Sequence, residues 1–174
     1  MSIPLQARSG AWQPALELLE PISLVRCCAS PLGRDLCMIV TEMAVHVYAT
    51  SDESPNLSFE PVTSFFLGCR ATGASWSPST QHASTAWRIE ILVATETNEL
   101  RLLESVRQGS EASTSNKKLA DTYARVSDLA WCASPGYESY AAAACSDGTV
   151  RLWNLEGGCR THYLNSCLLY TSPS

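Results

Sequence analysis

The chain has 174 residues, the length of one ordinary domain or a piece of a larger one. Its hydrophobic content of 45% and mean hydropathy of −0.03 supply enough apolar side chain for a packed core, which excludes a wholly disordered chain. The 12 Lys+Arg against 17 Asp+Glu leave a net charge of −5, which argues against binding nucleic acid by phosphate neutralisation and against a polybasic membrane-surface role.

Residues 1–21 open without the apolar run of a secretory signal. Within them Ala11–Leu19 (AWQPALELL) places Pro14 before Leu16, Leu18 and Leu19, which fits a short helix or an outer strand. From residue 22 a pattern begins that occurs three times, over about 22–50, 73–105 and 126–158. Each unit opens with a short apolar strand ending in a Ser-Pro step: Ser30-Pro31, Ser77-Pro78 and Ser134-Pro135. Proline has no N–H for a strand ladder, so the step predicts a strand end. Each unit continues with a small apolar strand: Leu36–Val40, Ile89–Ala94 and Tyr140–Cys145. Ala141–Cys145, almost all small, predicts a central strand buried on both faces. None of these runs is long enough to span a bilayer.

A polar turn and an alternating strand follow in each unit: Val45–Tyr48, Leu100–Leu103 and Val150–Trp153. Asp147-Gly148 predicts a tight type I′ hairpin, and Thr97-Asn98 stands at the same place in the second unit. Period-2 alternation sends Val150 and Leu152 to one face and Arg151 to the other, and Trp153 adds a large apolar body at the strand end. Trp76 and Trp131 lie in the strands that open the second and third units. The polar stretches Ser51–Ser58 and Gln108–Lys118 predict surface loops between units. Residues 159–166 are expected to start a further unit.

Cys145–Gly158 (CSDGTVRLWNLEGG) resembles the Ser-x-Asp-Gly-Thr-aliphatic-Arg-aliphatic-Trp-Asp signature of the WD-repeat β-propeller family, with Asn154 where Asp is usual. The resemblance rests on Trp76, Ser77, Pro78, Trp131, Ser134, Pro135, Asp147, Gly148, Arg151 and Trp153. It implies an all-β, WD40-type propeller of about three blades. Two features depart from the family pattern. The Gly-His dipeptide is absent before Val126, and the first two units lack the hairpin Asp, so the hydrogen-bonded tetrad of strong WD repeats is at best partial. In a propeller, the 1–21 segment would supply a ring-closing strand. Residues 167–174 (CLLYTSPS) resemble the translation of a sequencing-library adapter, and the expectation is a C-terminally truncated fragment. A fragment of this kind is expected to leave a sheet face and an edge open at its last blade.

No motif for catalysis or cofactor binding stands out. His46, His82 and His162 have no metal-ligand spacing. The eight cysteines contain no Cys-x-x-Cys pair and read as reduced, packed side chains. No nucleophile elbow or phosphate-cradling glycine loop occurs. Arg70, Arg88, Arg101 and Arg151 read as outward strand residues or as the lining of one propeller face. A non-enzymatic scaffold without a cofactor is therefore expected, its partners being other protein subunits and neither nucleic acid nor a membrane. A narrower resemblance links Trp76–Thr80 (WSPST) and Trp153–Gly157 (WNLEG) to the small WD-repeat nucleoporins of the nuclear pore's Y-shaped scaffold. That resemblance implies a helical-solenoid nucleoporin as partner and a place at the nuclear envelope; otherwise the cytoplasm is expected. The alternative is a substrate receptor or adaptor of a cullin-type ubiquitin ligase, or another WD-repeat assembly factor, although Trp153-Asn154-Leu155-Glu156 departs from the Trp-Asp-x-Arg that ligase propellers carry.

Overall fold

A computed structural model describes residues 18–53, 56–156 and 160–165. Most of the N-terminal segment, Gly157-Gly158 and residues 167–174 lie outside the described residues, and so do the expectations placed on them. The described chain forms three consecutive antiparallel sheets. The first holds β1 (Leu24–Cys27), β2 (Leu36–Val40), β3 (Ala44–Glu53) and β4 (Asn56–Phe66) in that order. The second holds β5 (Ala71–Trp76), β7 (Ala86–Thr95), β8 (Glu99–Gln108) and β9 (Glu111–Asp121), with short β6 (Gln81–Ala83) paired to β7. The third holds β10 (Val126–Trp131), β11 (Tyr140–Cys145), β12 (Thr149–Asn154) and β13 (Arg160–Asn165). Three four-stranded meanders laid face to face are the blades of a β-propeller, which is the expected all-β fold.

Period-2 alternation is what joins the blades. Successive residues of β7 point to opposite faces. Ile89, Ile91 and Val93 join Leu36, Met38, Val40, Val45 and Val47 in the core between the first two blades. Leu92 and Ala94, with Leu100, join Ala141, Ala143, Cys145 and Trp153 in the core between the second and third. The inner strands β5 and β10 approach closely at Gly73, where a Cβ would sit 3.2 Å from Leu129 Cβ. A side chain at this position would require Leu129 to give way by a few tenths of an ångström.

Four details of the sequence reading change. Ser51–Ser58 and Gln108–Lys118 are not loops: they form the β3–β4 and β8–β9 hairpins, and β9 is an outer strand exposed along most of its length. Arg160–Asn165 does not begin another blade but pairs with β12 as the outer strand of the third. The Asp147-Gly148 turn is not type I′, because positive φ occurs at Gly148 (77°) and not at Asp147. Gly148 N donates to Cys145 O at 3.1 Å, a three-residue loop in which a type I turn ends on a left-handed residue. The Thr95–Asn98 turn repeats it, with Asn98 at φ 58° and its N–H donating to Thr95 O at 3.0 Å. Finally, β11 is buried on one face alone: Ala141, Ala143 and Cys145 are covered, whereas Ala144 is exposed.

Candidate functional site

The signature residues of the third blade form a structural lock rather than a reactive site. Asp147 accepts hydrogen bonds from Thr149 N at 3.0 Å and Thr149 Oγ1 at 2.6 Å. Arg151 reaches back to Asp147 at 2.8 Å, its own side chain only 6% exposed. The Thr149 hydrogen bonds, and then the Arg151 guanidinium, hold the Asp147 carboxyl below its ordinary value. Arg151 therefore faces the interior between blades and is not an outward strand residue. Trp153, two residues on, is fully buried on that same face. Its indole N–H has no hydrogen-bond partner among the described residues. In the ladder Trp153 lies between Ala141, which has no hydroxyl to accept, and Thr161 of the outer strand.

The three Ser-Pro steps lie beyond the ends of β1, β5 and β10, and their roles differ. Ser30 Oγ donates to Thr80 O at 2.6 Å and so ties the first blade to the second. Ser77 is buried and donates to Glu90 Oε2 at 2.9 Å, while Glu90 also holds Arg88 at 2.7 Å. Ser134 and Pro135 are exposed. Trp76 Nε1 donates to Arg26 O across the blade boundary at 3.0 Å. Trp131 Nε1 instead donates to Glu138 O in its own loop at 2.6 Å, and Trp131 N donates to Ser75 Oγ at 2.8 Å. Pro78, with Trp76, Ser77 and Trp131, lines a groove where the corners of all three blades meet.

At another cavity the inner strands converge around Arg26, Arg70, Arg125 and Asp128. Arg70 and Arg125 are repeat equivalents, each standing one residue before an inner strand. Arg70 O accepts Glu96 N at 2.9 Å, and Arg125 O accepts Ser146 N at 2.8 Å, at matching places in successive hairpins. Both residues are exposed, and neither guanidinium has an ion-pair partner among the described residues. Arg26 pairs with Asp128 at 2.7 Å. Three arginines stand there against the Asp128 carboxylate and that of Glu96, whose Oε1 accepts the Arg70 N–H at 3.1 Å, which leaves a net cationic patch on an acidic protein. The patch is suited to carboxylate-rich or other anionic groups.

The remaining candidates are distributed. Arg88 and Arg101 hold carboxylates of their own blade, Glu90 and Glu99. His46 Nδ1 meets Ser64 Oγ at 2.9 Å. His82 Nδ1 meets Asp35 at 2.5 Å and ties the second blade to the first, a contact that no motif announces. Among the described residues no group of three His, Cys, Asp or Glu converges as a metal site would, and no helix is long and apolar enough to cross a membrane.

Comparison with known proteins bears on the fold. No family model matches the chain, and no curated protein does. The WD40 domain of SCAP from fission yeast is similar, with a TM-score of 0.58 and 14% identity over 83% of this chain and 31% of that one. Sqt1 of Chaetomium thermophilum, solved bound to the N-terminus of ribosomal protein L10, matches at a TM-score of 0.46 and 12% identity, over 83% of this chain and 49% of that one. The fold is thus that of WD40 propeller blades, and the chain spans about a third of the SCAP domain's length.

Proposed function

We propose that the protein is a non-enzymatic WD-repeat scaffold that docks other protein subunits. The observation that carries this reading is the pair of repeat-equivalent arginines, Arg70 and Arg125, exposed where the inner strands converge, their guanidinium groups forming no ion pair among the described residues. Charged groups arranged in this way guide and orient a partner of opposite charge, while neighbouring apolar and aromatic surface supplies affinity. The groove lined by Pro31, Pro78 and Trp131 offers such surface.

The finer reading is a structural nucleoporin of the nuclear pore outer ring, with a helical-solenoid nucleoporin as its partner and the nuclear envelope as its place. Its support is the likeness of Trp76–Thr80 and Trp153–Gly157 to the small WD-repeat nucleoporins. Affinity purification of the protein from its own cells, with quantitative mass spectrometry, tests it. The nucleoporin reading expects the helical-solenoid subunits of the pore in near-stoichiometric yield. Recovery of a cullin and its adaptor instead would replace it with the ligase-receptor reading. Absence of any stoichiometric partner would overturn the scaffold reading.

A further inference from the structure

The β1–β2 ladder sets Cys27 directly opposite Cys37. The next pair along, Cys28 and Leu36, is hydrogen-bonded, with Cys28 N donating to Leu36 O at 2.8 Å. Hydrogen-bonded and open positions alternate in an antiparallel ladder, so Cys27 and Cys37 occupy an open one. There the Cα atoms of opposed residues stand about 4.5 Å apart, within the roughly 4.4–6.8 Å that a disulfide spans. Both thiols are free, Cys27 exposed and Cys37 7% exposed. Cys28 cannot compete, because it faces the other way, into the core between the first two blades. Among the described residues no other cysteine stands opposite a second one in a strand register.

We propose that Cys27 and Cys37 are an oxidisable dithiol, a modification site for a small-molecule disulfide of the glutathione class. The Cys27 thiolate attacks one sulfur of glutathione disulfide. The S–S bond of that molecule breaks, one glutathione leaves as a thiolate and takes a proton, and Cys27 carries the other as a mixed disulfide. The Cys37 thiolate then attacks the Cys27 sulfur and expels the second glutathione, which also takes a proton. Two cysteine thiols are oxidised to one disulfide, and glutathione disulfide is reduced to two glutathione thiols. Burial, and the nearby Cys27 thiol, push Cys37 up to about 11. The second step is therefore slow at neutral pH and quickens as pH rises. The consequence falls on β1, an edge strand of four residues. Its Arg26 accepts the Trp76 indole N–H and pairs with Asp128. A staple to β2 would hold that strand in place.

The test is to treat the 174-residue chain with glutathione disulfide at pH 8, block the remaining thiols, and map the peptides without reduction. The expected product is a peptide pair bridged through Cys27 and Cys37, with Cys28 still free. Cys37→Ser should stop at one glutathione on Cys27, and amide exchange over Leu24–Cys27 should slow about tenfold or more in oxidised wild type. The proposal is overturned if wild-type Cys27 retains its glutathione while Cys37 stays free, or if Cys27 bridges a different cysteine. The wild-type map decides the matter even where the serine variant fails to fold.

Discussion

Arg101 and Arg151 stand at the same register position of successive blades, opposite Val93 and Ala143, yet take their carboxylates from different places in the hairpin. Arg101 binds Glu99 at 2.6 Å, two residues before it, and Arg151 binds Asp147 at 2.8 Å, four residues before it. Arg101 also donates to Leu67 O of the preceding blade at 3.0 Å. The arginine is the repeated feature, and the acid moves to meet it.

Acid should weaken both locks. Hydrogen bonds from Arg101, and next from Lys118, hold Glu99 below its ordinary 4.5, and Asp147 is likewise held below 3.8. The unfolded chain binds more protons in that range, so this stability is present above about pH 4.5 and is lost as pH falls through the lowered folded values. Thermal melts of Asp147→Asn with Glu99→Gln should give a lower Tm than wild type at pH 7. The gap should narrow by pH 3.

Trp153 should matter through its bulk and not through its N–H. Trp153→Ala is expected to cost about 3–5 kcal/mol. Trp153→Phe, which discards a donor with no partner among the described residues, should cost only about 1–2 kcal/mol. Urea denaturation of the two variants checks this.

The hairpin loops predict opposite responses to glycine. Gly148→Ala places a side chain in the left-handed region and should destabilise by about 1–2 kcal/mol. Asn98→Gly should be neutral within about 0.5 kcal/mol, because asparagine already tolerates that region at modest cost. Denaturant midpoints separate the two cases.

The third blade presents an uncovered counterpart of the faces that join the others. Val40 and Ala94 are buried against a following blade, whereas the equivalent Ala144 is exposed and Val150 is 37% exposed. The chain alone should therefore self-associate. Sedimentation should show concentration-dependent growth that Ala144→Glu with Val150→Lys reduces.

Much of this architecture could be read from residue patterns. The alternation Val150–Trp153 and the Ser-Pro strand ends carry the period and punctuation of a blade. Strand β9 could not be read, because an outer strand solvated along most of its length has no apolar alternation to betray it. The Asp147-Gly148 turn was legible in place but not in type, since Asp147 accepts from Thr149 without adopting positive φ. The equivalence of Arg70 and Arg125 emerges only once Glu96 and Ser146 are seen to bond to their carbonyls. The His82–Asp35 tie joins residues 47 apart and depends on tertiary packing.

The docking we propose for this protein runs through the cationic patch at its inner strands. The most direct measurement compares partner recovery by wild type and by Arg70→Glu with Arg125→Glu, both purified from cells at equal expression and with melting profiles recorded alongside. A folded double variant that loses its stoichiometric partners by about tenfold or more is the predicted result. Undiminished recovery by the folded double variant would rule out docking through this patch.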